Sequence, residues 1–80
     1  MYKVVFGDSY IVVSSKELEN ELKKLINFVI NGEKIDIRDA LKTIHYLKIY
    51  KSNNRSAVLL VKLAEKKILE ILKNSNVSLW

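Results

Sequence analysis

The sequence predicts an α+β domain in which an N-terminal β-hairpin is followed by three α-helices, in the order ββααα. Two short apolar runs flank Gly7-Asp8, and three longer segments repeat apolar residues at helical spacing behind a polar capping residue. The 80 residues suffice for one domain. We divide it into a hairpin over residues 1–14, a three-helix portion over residues 15–75 and a C-terminal tail over residues 76–80.

The first two apolar runs are expected to form the hairpin. Glycine at the first central position suits a two-residue type II′ turn, which places Phe6 opposite Ser9 and Val4 opposite Ile11. One face then carries Tyr2, Val4, Phe6, Ile11 and Val13, and the other carries Val5, Tyr10 and Val12. Because both faces are apolar, we expect helices of the same chain on one face and a further cover on the other.

The first helix is expected to begin with a capping box formed by Ser14 and Glu17. It should end at about Asn31, where Gly32 can adopt the left-handed conformation. The helical period places one group of residues toward the core and leaves Phe28 on the outer face. The core group is Leu18, Leu22, Leu25, Ile26 and Val29.

Asp36 is expected to cap the second helix, and Arg38, Lys42 and His45 to form an exposed ridge along it. Its core-facing residues should be Ile37, Ala40, Leu41, Ile44 and Leu47. The polar loop "KSNNRS" follows, and either Asn54 or Ser56 can cap the third helix. The final stretch "NSNVSLW" alternates apolar and polar residues, so it either adds a short edge strand to the hairpin or frays.

The third helix, "RSAVLLVKLAEKKILEILK" over residues 55–73, carries more leucine than one buried stripe can use. Its core arc spans about 120° and contains Ala57, Leu60, Val61, Ala64, Ile68, Ile71 and Leu72. A basic stripe lies opposite, within about 40° on the helical wheel, and consists of Arg55, Lys62, Lys66 and Lys73. Leu59, Leu63 and Leu69 fall outside the core arc.

Three interpretations of this surface stay open at this point. The leucines can belong to a protein–protein interface, since three on one helix approach a patch. The basic stripe can follow the phosphates of a nucleic acid while the leucines pack beside it. Alternatively, the helix can be central in a small bundle whose own chain covers most of it. The first two interpretations are compatible with each other.

Residues 35–69, "IDIRDALKTIHYLKIYKSNNRSAVLLVKLAEKKIL", faintly resemble the second and third helices of winged-helix DNA-binding proteins. In that family a polar loop and small residues, here Arg55-Ser56-Ala57, begin the recognition helix, so the resemblance implies DNA contact by the third helix. It covers under half of the chain. The helix before the loop is long, the loop lacks the tight-turn signature, and the only clear hairpin is N-terminal instead of following the third helix. The family is therefore not assigned.

The residues that could take part in catalysis do not favour an enzyme. One histidine and no cysteine exclude the usual zinc clusters, and two glycines 25 positions apart form no phosphate-binding loop. His45 lies on a helix between basic residues, which favours a surface position over a general base. Asp36 and Asp39 are explained by the start of a helix. We expect no catalysis, no cofactor and no metal.

The formal charge of +5 favours acidic partners, among which nucleic acid is the commonest. We therefore expect a small basic binding module, nucleic-acid-binding or regulatory, with sequence-tolerant phosphate contacts. The expected contact residues are Arg55, Lys62, Lys66 and Lys73, extended by Arg38 and Lys42. The alternative is a protein–protein interaction module, an adaptor or an inhibitor of a larger complex. We also expect a homodimer, with an interface drawn from Leu59, Leu63, Leu69, Val5, Tyr10 and Val12.

The chain is expected to be cytoplasmic and not to enter a membrane. Its longest uncharged apolar run, residues 57–61, is far shorter than the roughly 18 residues that a spanning helix needs. The N-terminal apolar run is too short for a signal peptide, and the absence of cysteine is compatible with a reducing compartment.

Overall fold

The computed structural model describes residues 1–74 and has the element order ββααα. Its elements are β1 (Tyr2–Phe6), β2 (Ser9–Val13), α1 (Lys16–Asn31), α2 (Ile37–Tyr50) and α3 (Arg55–Asn74). This confirms the predicted α+β class and the order of its elements. The predicted C-terminal edge strand falls on residues outside the described range.

The hairpin has the predicted register. β1 and β2 are antiparallel, with Val4 opposite Ile11 and Phe6 opposite Ser9. Gly7 opens the two-residue turn with a φ of 70°, in the left-handed region that a side chain disfavours. The inner face is buried, whereas Val5 is 67% exposed and Tyr10 is 46% exposed on the outer face. No element of residues 1–74 covers that outer face.

The core lies between the inner face of the hairpin and the three helices. Its largest fully buried side chains come from β2 and all three helices, and they include Ile11, Leu22, Leu25, Leu47 and Leu60. All three helices contact one another, and both α1 and α3 contact the hairpin. The helices of residues 1–74 include no candidate membrane-spanning segment.

The cap of α1 differs from the prediction by one residue. Ser15, not Ser14, is the N-cap: its backbone is extended, and its hydroxyl oxygen accepts the Leu18 N–H at 3.1 Å. The shift also removes the predicted capping box, because the third helical position is then Leu18 instead of Glu17. Strand β2 continues to Val13, so the chain uses two residues to turn from strand to helix. The predicted helix end is confirmed by Gly32, with a φ of 68°.

Several apolar positions were assigned to the wrong side of a helix. Phe28 was expected on the surface but is buried, with the Lys67 ammonium of α3 lying 5.6 Å from its ring centroid. Because α1 packs against both the hairpin and α3, its buried arc is wider than one stripe. Leu41 was expected in the core but is 50% exposed beside the last turns of α3. Ile71 and Leu72 are likewise about two-fifths exposed, because the 20-residue α3 is longer than the 14-residue α2 that packs against it and its last turns have less cover.

Candidate nucleic-acid interface

The positive charge of the chain is concentrated in its second half. Residues 37–74 contain nine lysines and arginines against three carboxylates, a net charge of +6. Residues 1–36 contain five against six, a net charge of −1, and the two parts together give the total of +5. The whole excess therefore belongs to α2, α3 and the loop between them, and it gives this part of the surface a positive field.

The lysines of α1 are balanced locally by carboxylates. Lys16 and Lys23 approach the buried carboxylate of Glu19 at 2.7 and 3.6 Å, and Lys24 lies 3.3 Å from Glu21. The hydrogen bond from Lys16 lowers the pKa of Glu19 below its ordinary value and raises the pKa of Lys16. These ion pairs stabilise the helix and leave little free positive charge on it.

The lysines of the α3 stripe, unlike those of α1, are not balanced by carboxylates of residues 1–74. Lys62, Lys66 and Lys73 are all exposed, and none of them pairs with a carboxylate of residues 1–74. Arg55 lies 3.6 Å from Asp8, but both side chains are more than 70% exposed, so water screens this contact. Lys62 and Lys66 are like charges one turn apart, an arrangement that mildly destabilises a free helix and is relieved by a bound anion.

Helices α2 and α3 form an antiparallel pair whose connecting loop is fixed to the hairpin. Asn54 caps α3 through a 2.9 Å bond from the Ala57 N–H, as one of the two predicted alternatives requires. The amide nitrogen of Asn54 donates to the Tyr10 carbonyl at 2.7 Å, and the buried Ser56 hydroxyl donates to the Phe6 carbonyl. The loop and the first turn of α3 therefore have a defined position relative to the hairpin.

An apolar cleft of about 220 Å³ opens between the end of α2 and the start of α3. Its walls are Leu47, Ala57, Val58 and Val61, and its mouth carries Lys48, Lys51, Ser52 and Lys62. Val58 and Lys62 also border a second, shallower depression on the other side of Val58, together with Asn53, Asn54, Arg55 and Leu59. The first half of α3 thus joins apolar depressions to a row of cations.

The second half of the stripe is less positive than the first. Lys66 and Lys73 share their surface with Glu65, Glu70 and the 65% exposed Leu69. Around the first half, the only carboxylates of residues 1–74 that pair with a cation are Glu65, which binds Lys48 at 2.6 Å, and Asp8, which approaches Arg55. The densest unbalanced positive charge in residues 1–74 therefore lies around the loop and the first two turns of α3.

The two basic residues of α2 do not lie beside the stripe. Lys42 lines a cleft between α1 and α2 together with the carboxylates of Glu17, Glu21 and Asp39. Arg38 is exposed in the first turn of α2, and its backbone N–H donates to the capping Asp36 at 2.8 Å. Arg38 and Lys42 were expected to extend the stripe, but no continuous basic surface joins them to it.

The expected interface residues fall into separate regions. Val5, Tyr10 and the half-buried Val12 lie together on the outer face of the hairpin, where the Lys3 ammonium stands 4.3 Å from the Tyr10 ring centroid. Leu59 lies beside the hairpin turn and is 43% exposed, and Leu63 follows it one turn later at 38%. Leu69 belongs to a third region, an apolar groove with Ile37, Leu41, Ile68 and Leu72.

The sequence interpretation missed four residues of the candidate site, namely Lys48, Lys51, Ser52 and Asn53. The sequence predicts "KSNNRS" only as a loop that connects two helices and caps the third helix. The available signal was the uneven distribution of charge, because separate counts for the two halves of the chain reveal that the basic excess begins at α2. The cleft itself depends on how α2 and α3 pack, and no local pattern specifies it.

Among residues 1–74 there is no group of three or more histidines and carboxylates placed to hold a metal ion. Comparisons of the chain with protein-family models, with characterised proteins and with solved structures find no match.

Proposed function

We propose that this protein is a non-catalytic nucleic-acid-binding module that contacts phosphates through the surface formed by α2, α3 and their loop. The observation that carries the proposal is the segregation of charge, with +6 on residues 37–74 against −1 on the rest. Phosphate neutralisation by lysine and arginine, with release of counterions, is the dominant source of sequence-independent affinity for nucleic acid.

The contrast between α1 and α3 supports this proposal. On α1, five of the charged side chains neutralise one another at short range, as expected for a helix that only stabilises the fold. On α3, Lys62, Lys66 and Lys73 are held on one helical face without a carboxylate partner in the described chain. Such an arrangement costs stability in isolation and is favourable opposite a row of phosphates.

The basic stripe of α3 is poorly equipped to recognise particular bases. The stripe contains one arginine and no asparagine or glutamine, so it offers at most one bidentate contact to guanine. The amide of Asn54 is already occupied on both sides by the hairpin and by its own helix. We therefore propose sequence-tolerant binding.

The test is the salt dependence of binding to nucleic acid. If four to six cations neutralise phosphates, the logarithm of the affinity for duplex DNA should fall against the logarithm of salt concentration with a slope of about −4 to −5. Substituting both Lys62→Glu and Lys66→Glu should flatten the slope and weaken binding to all sequences alike. Lys24→Glu with Lys34→Glu is the matched control, since it changes the net charge equally on other surfaces. Absence of binding at about 50 mM salt, or equal loss in both double variants, contradicts the proposed interface.

A protein–protein interaction module is the second candidate, and exposed apolar surface favours it. The outer face of the hairpin and the groove between the start of α2 and the end of α3 are both apolar and exposed. Under this interpretation the protein acts as an adaptor or an inhibitor, or associates with a second copy of itself. We further propose a cytoplasmic location, with which a chain without cysteine is compatible.

A further inference from the structure

We propose that the cleft between α2 and α3 receives an unpaired base, so that the ligand of the basic surface is single-stranded nucleic acid. This inference rests on the function proposed above and adds the class of nucleic acid. It is carried by the combination of an apolar cleft with ammonium groups at its mouth, because each nucleotide likewise joins a ring to an anion.

The size and lining of the cleft fit one ring system. Its volume of about 220 Å³ is below the range of about 300–1,000 Å³ typical of sites for larger ligands. The walls are the aliphatic side chains of Leu47, Val58 and Val61, with the Cβ of Ala57. Such walls offer no hydrogen bond to a phosphate, so filling the cleft is favourable only for a group with an apolar face.

The cations are placed to hold phosphates on both sides of such a base. Lys48, Lys51 and Lys62 stand at the mouth, and Lys51 and Lys62 pair with no carboxylate of residues 1–74. Lys62 also borders the second depression, which Arg55 and the exposed Asn53 line from the loop side. The two depressions therefore share one cation, which suits two successive units of a strand whose charge repeats with each unit.

A duplex cannot use the cleft, because its bases are stacked and paired inside the helix. Single-stranded recognition instead combines a basic surface along the backbone with contacts to the exposed faces of unstacked bases. An acidic protein segment with an apolar anchor would meet the same cleft. The second depression favours nucleic acid, because it repeats the combination of apolar surface and cation next to the first.

The test compares three fluorescein-labelled ligands of about 12 nucleotides, a length within the usual site size of small domains. They are an oligothymidylate, a duplex of the same length, and a strand whose residues are abasic but whose phosphates are unchanged. We expect the oligothymidylate to bind about tenfold more tightly than either of the others. The full chain is used throughout, at low and at physiological salt.

Val58→Ser removes the apolar ridge between the two depressions. It should lower the affinity for the oligothymidylate to nearly the affinity for the abasic strand. Ile30→Ser is the matched control, since it removes a 63% exposed apolar side chain of α1 outside the basic surface, and it should leave the preference unchanged. Circular dichroism verifies that both variants are folded.

The alternatives give distinct results. Equal affinity for all three ligands overturns the base-binding inference while leaving the proposed nucleic-acid function intact. Absence of binding to any of them overturns both. If polyglutamate of equal charge displaces the oligothymidylate equally well, the surface takes acidic protein segments, and the inference is likewise overturned.

Discussion

At the residue scale, the serine pair that links β2 to α1 shows how local geometry selects between two similar side chains. Ser14 is exposed and makes no hydrogen bond within the described chain, whereas the Ser15 hydroxyl accepts the Leu18 N–H. An N-cap side chain satisfies one of the amide groups that the first turn of a helix leaves without a partner. Ser15 and Ser14 can therefore be compared as a capping serine and a neighbouring serine that does not cap the helix.

Ser15→Ala should lower the free energy of unfolding by about 1 kcal/mol, which corresponds to a fall in melting temperature of several degrees in a domain of this size. Ser14→Ala should change the stability by only a few tenths of a kcal/mol, since surface substitutions away from special features usually do no more. Thermal unfolding of both variants checks this. A larger loss in Ser14→Ala would mean that the helix begins one residue earlier.

Glu19 provides a prediction on the dependence of stability on pH. Its pKa is lowered in the folded state, chiefly by the hydrogen bond from Lys16. Its contribution is therefore present at neutral pH, above its ordinary pKa of 4.5, and is lost as the pH falls through the lower folded-state value. The raised pKa of Lys16 acts at the other end, where stability is lost as the pH rises beyond about 10.5.

Glu19→Gln should consequently destabilise the protein at pH 7 and much less in strong acid, as measured by urea unfolding at both pH values. The control is the same substitution in a Lys16→Met background, where the loss at pH 7 should be smaller because the principal partner is already absent. An equal loss at both pH values in the two backgrounds would assign the effect of Glu19 to packing instead of to the ion pair.

At the element scale, the attachment of α3 to the hairpin depends on the two polar residues at its start. Asn54 caps the helix and donates to the Tyr10 carbonyl, and Ser56 is 2% exposed and donates to the Phe6 carbonyl. Both contacts join residues more than 40 positions apart. They therefore fix the position of the candidate binding surface relative to the rest of the domain.

Asn54→Ala should cost about 1–2 kcal/mol, because it removes a cap and a tertiary hydrogen bond together. Asn53→Ala is the matched control, since Asn53 is exposed and makes no hydrogen bond within residues 1–74, and its stability should change little. Unfolding by urea measures both. If the two variants are equally stable, the loop position depends on the packing of α3 and not on this side chain.

Much of the fold followed from local patterns in the sequence, and the exceptions share a physical cause. The hairpin register was predictable because glycine in a two-residue turn fixes which residues face each other. Asp36 and Gly32 were identified as helix boundaries because their roles depend only on adjacent backbone. Phe28 and Leu41 were misassigned because their burial is decided by a neighbouring helix, which a single-helix projection cannot represent.

The candidate site divides in the same way. The exposed stripe of α3 could be projected from helical spacing, and the structure places all four of its cations on the surface. The contributions of Lys48 and Lys51 could not be predicted from helical spacing, because these residues come close to α3 only through the antiparallel packing of α2. Lys42 was associated with the wrong neighbour for the same reason, since it faces α1.

At the scale of the whole molecule, the single chain leaves apolar surface exposed to water at both ends of the domain. Val5 and Tyr10 lie on an uncovered face of the hairpin, and Leu41 and Leu69 are at least half exposed at the other end of the helical layer. Small soluble monomers rarely expose contiguous apolar patches beyond a few hundred Å². Association of two copies about a two-fold axis is the commonest closed way to bury such surface.

We therefore predict a homodimer, with a mass in sedimentation equilibrium near twice the 9.3 kDa of one chain.

Two double variants distinguish the expected surfaces. Leu59→Lys with Leu63→Lys should dissociate a dimer built on α3, and Val5→Lys with Tyr10→Lys should dissociate one built on the hairpin. All four residues are more than a third exposed, so both variants should keep their helical circular dichroism. Unfolding of the α3 variant would mean that these leucines are essential to the core. A wild-type mass of one chain at several hundred micromolar would exclude the dimer, because mass action favours association at high concentration.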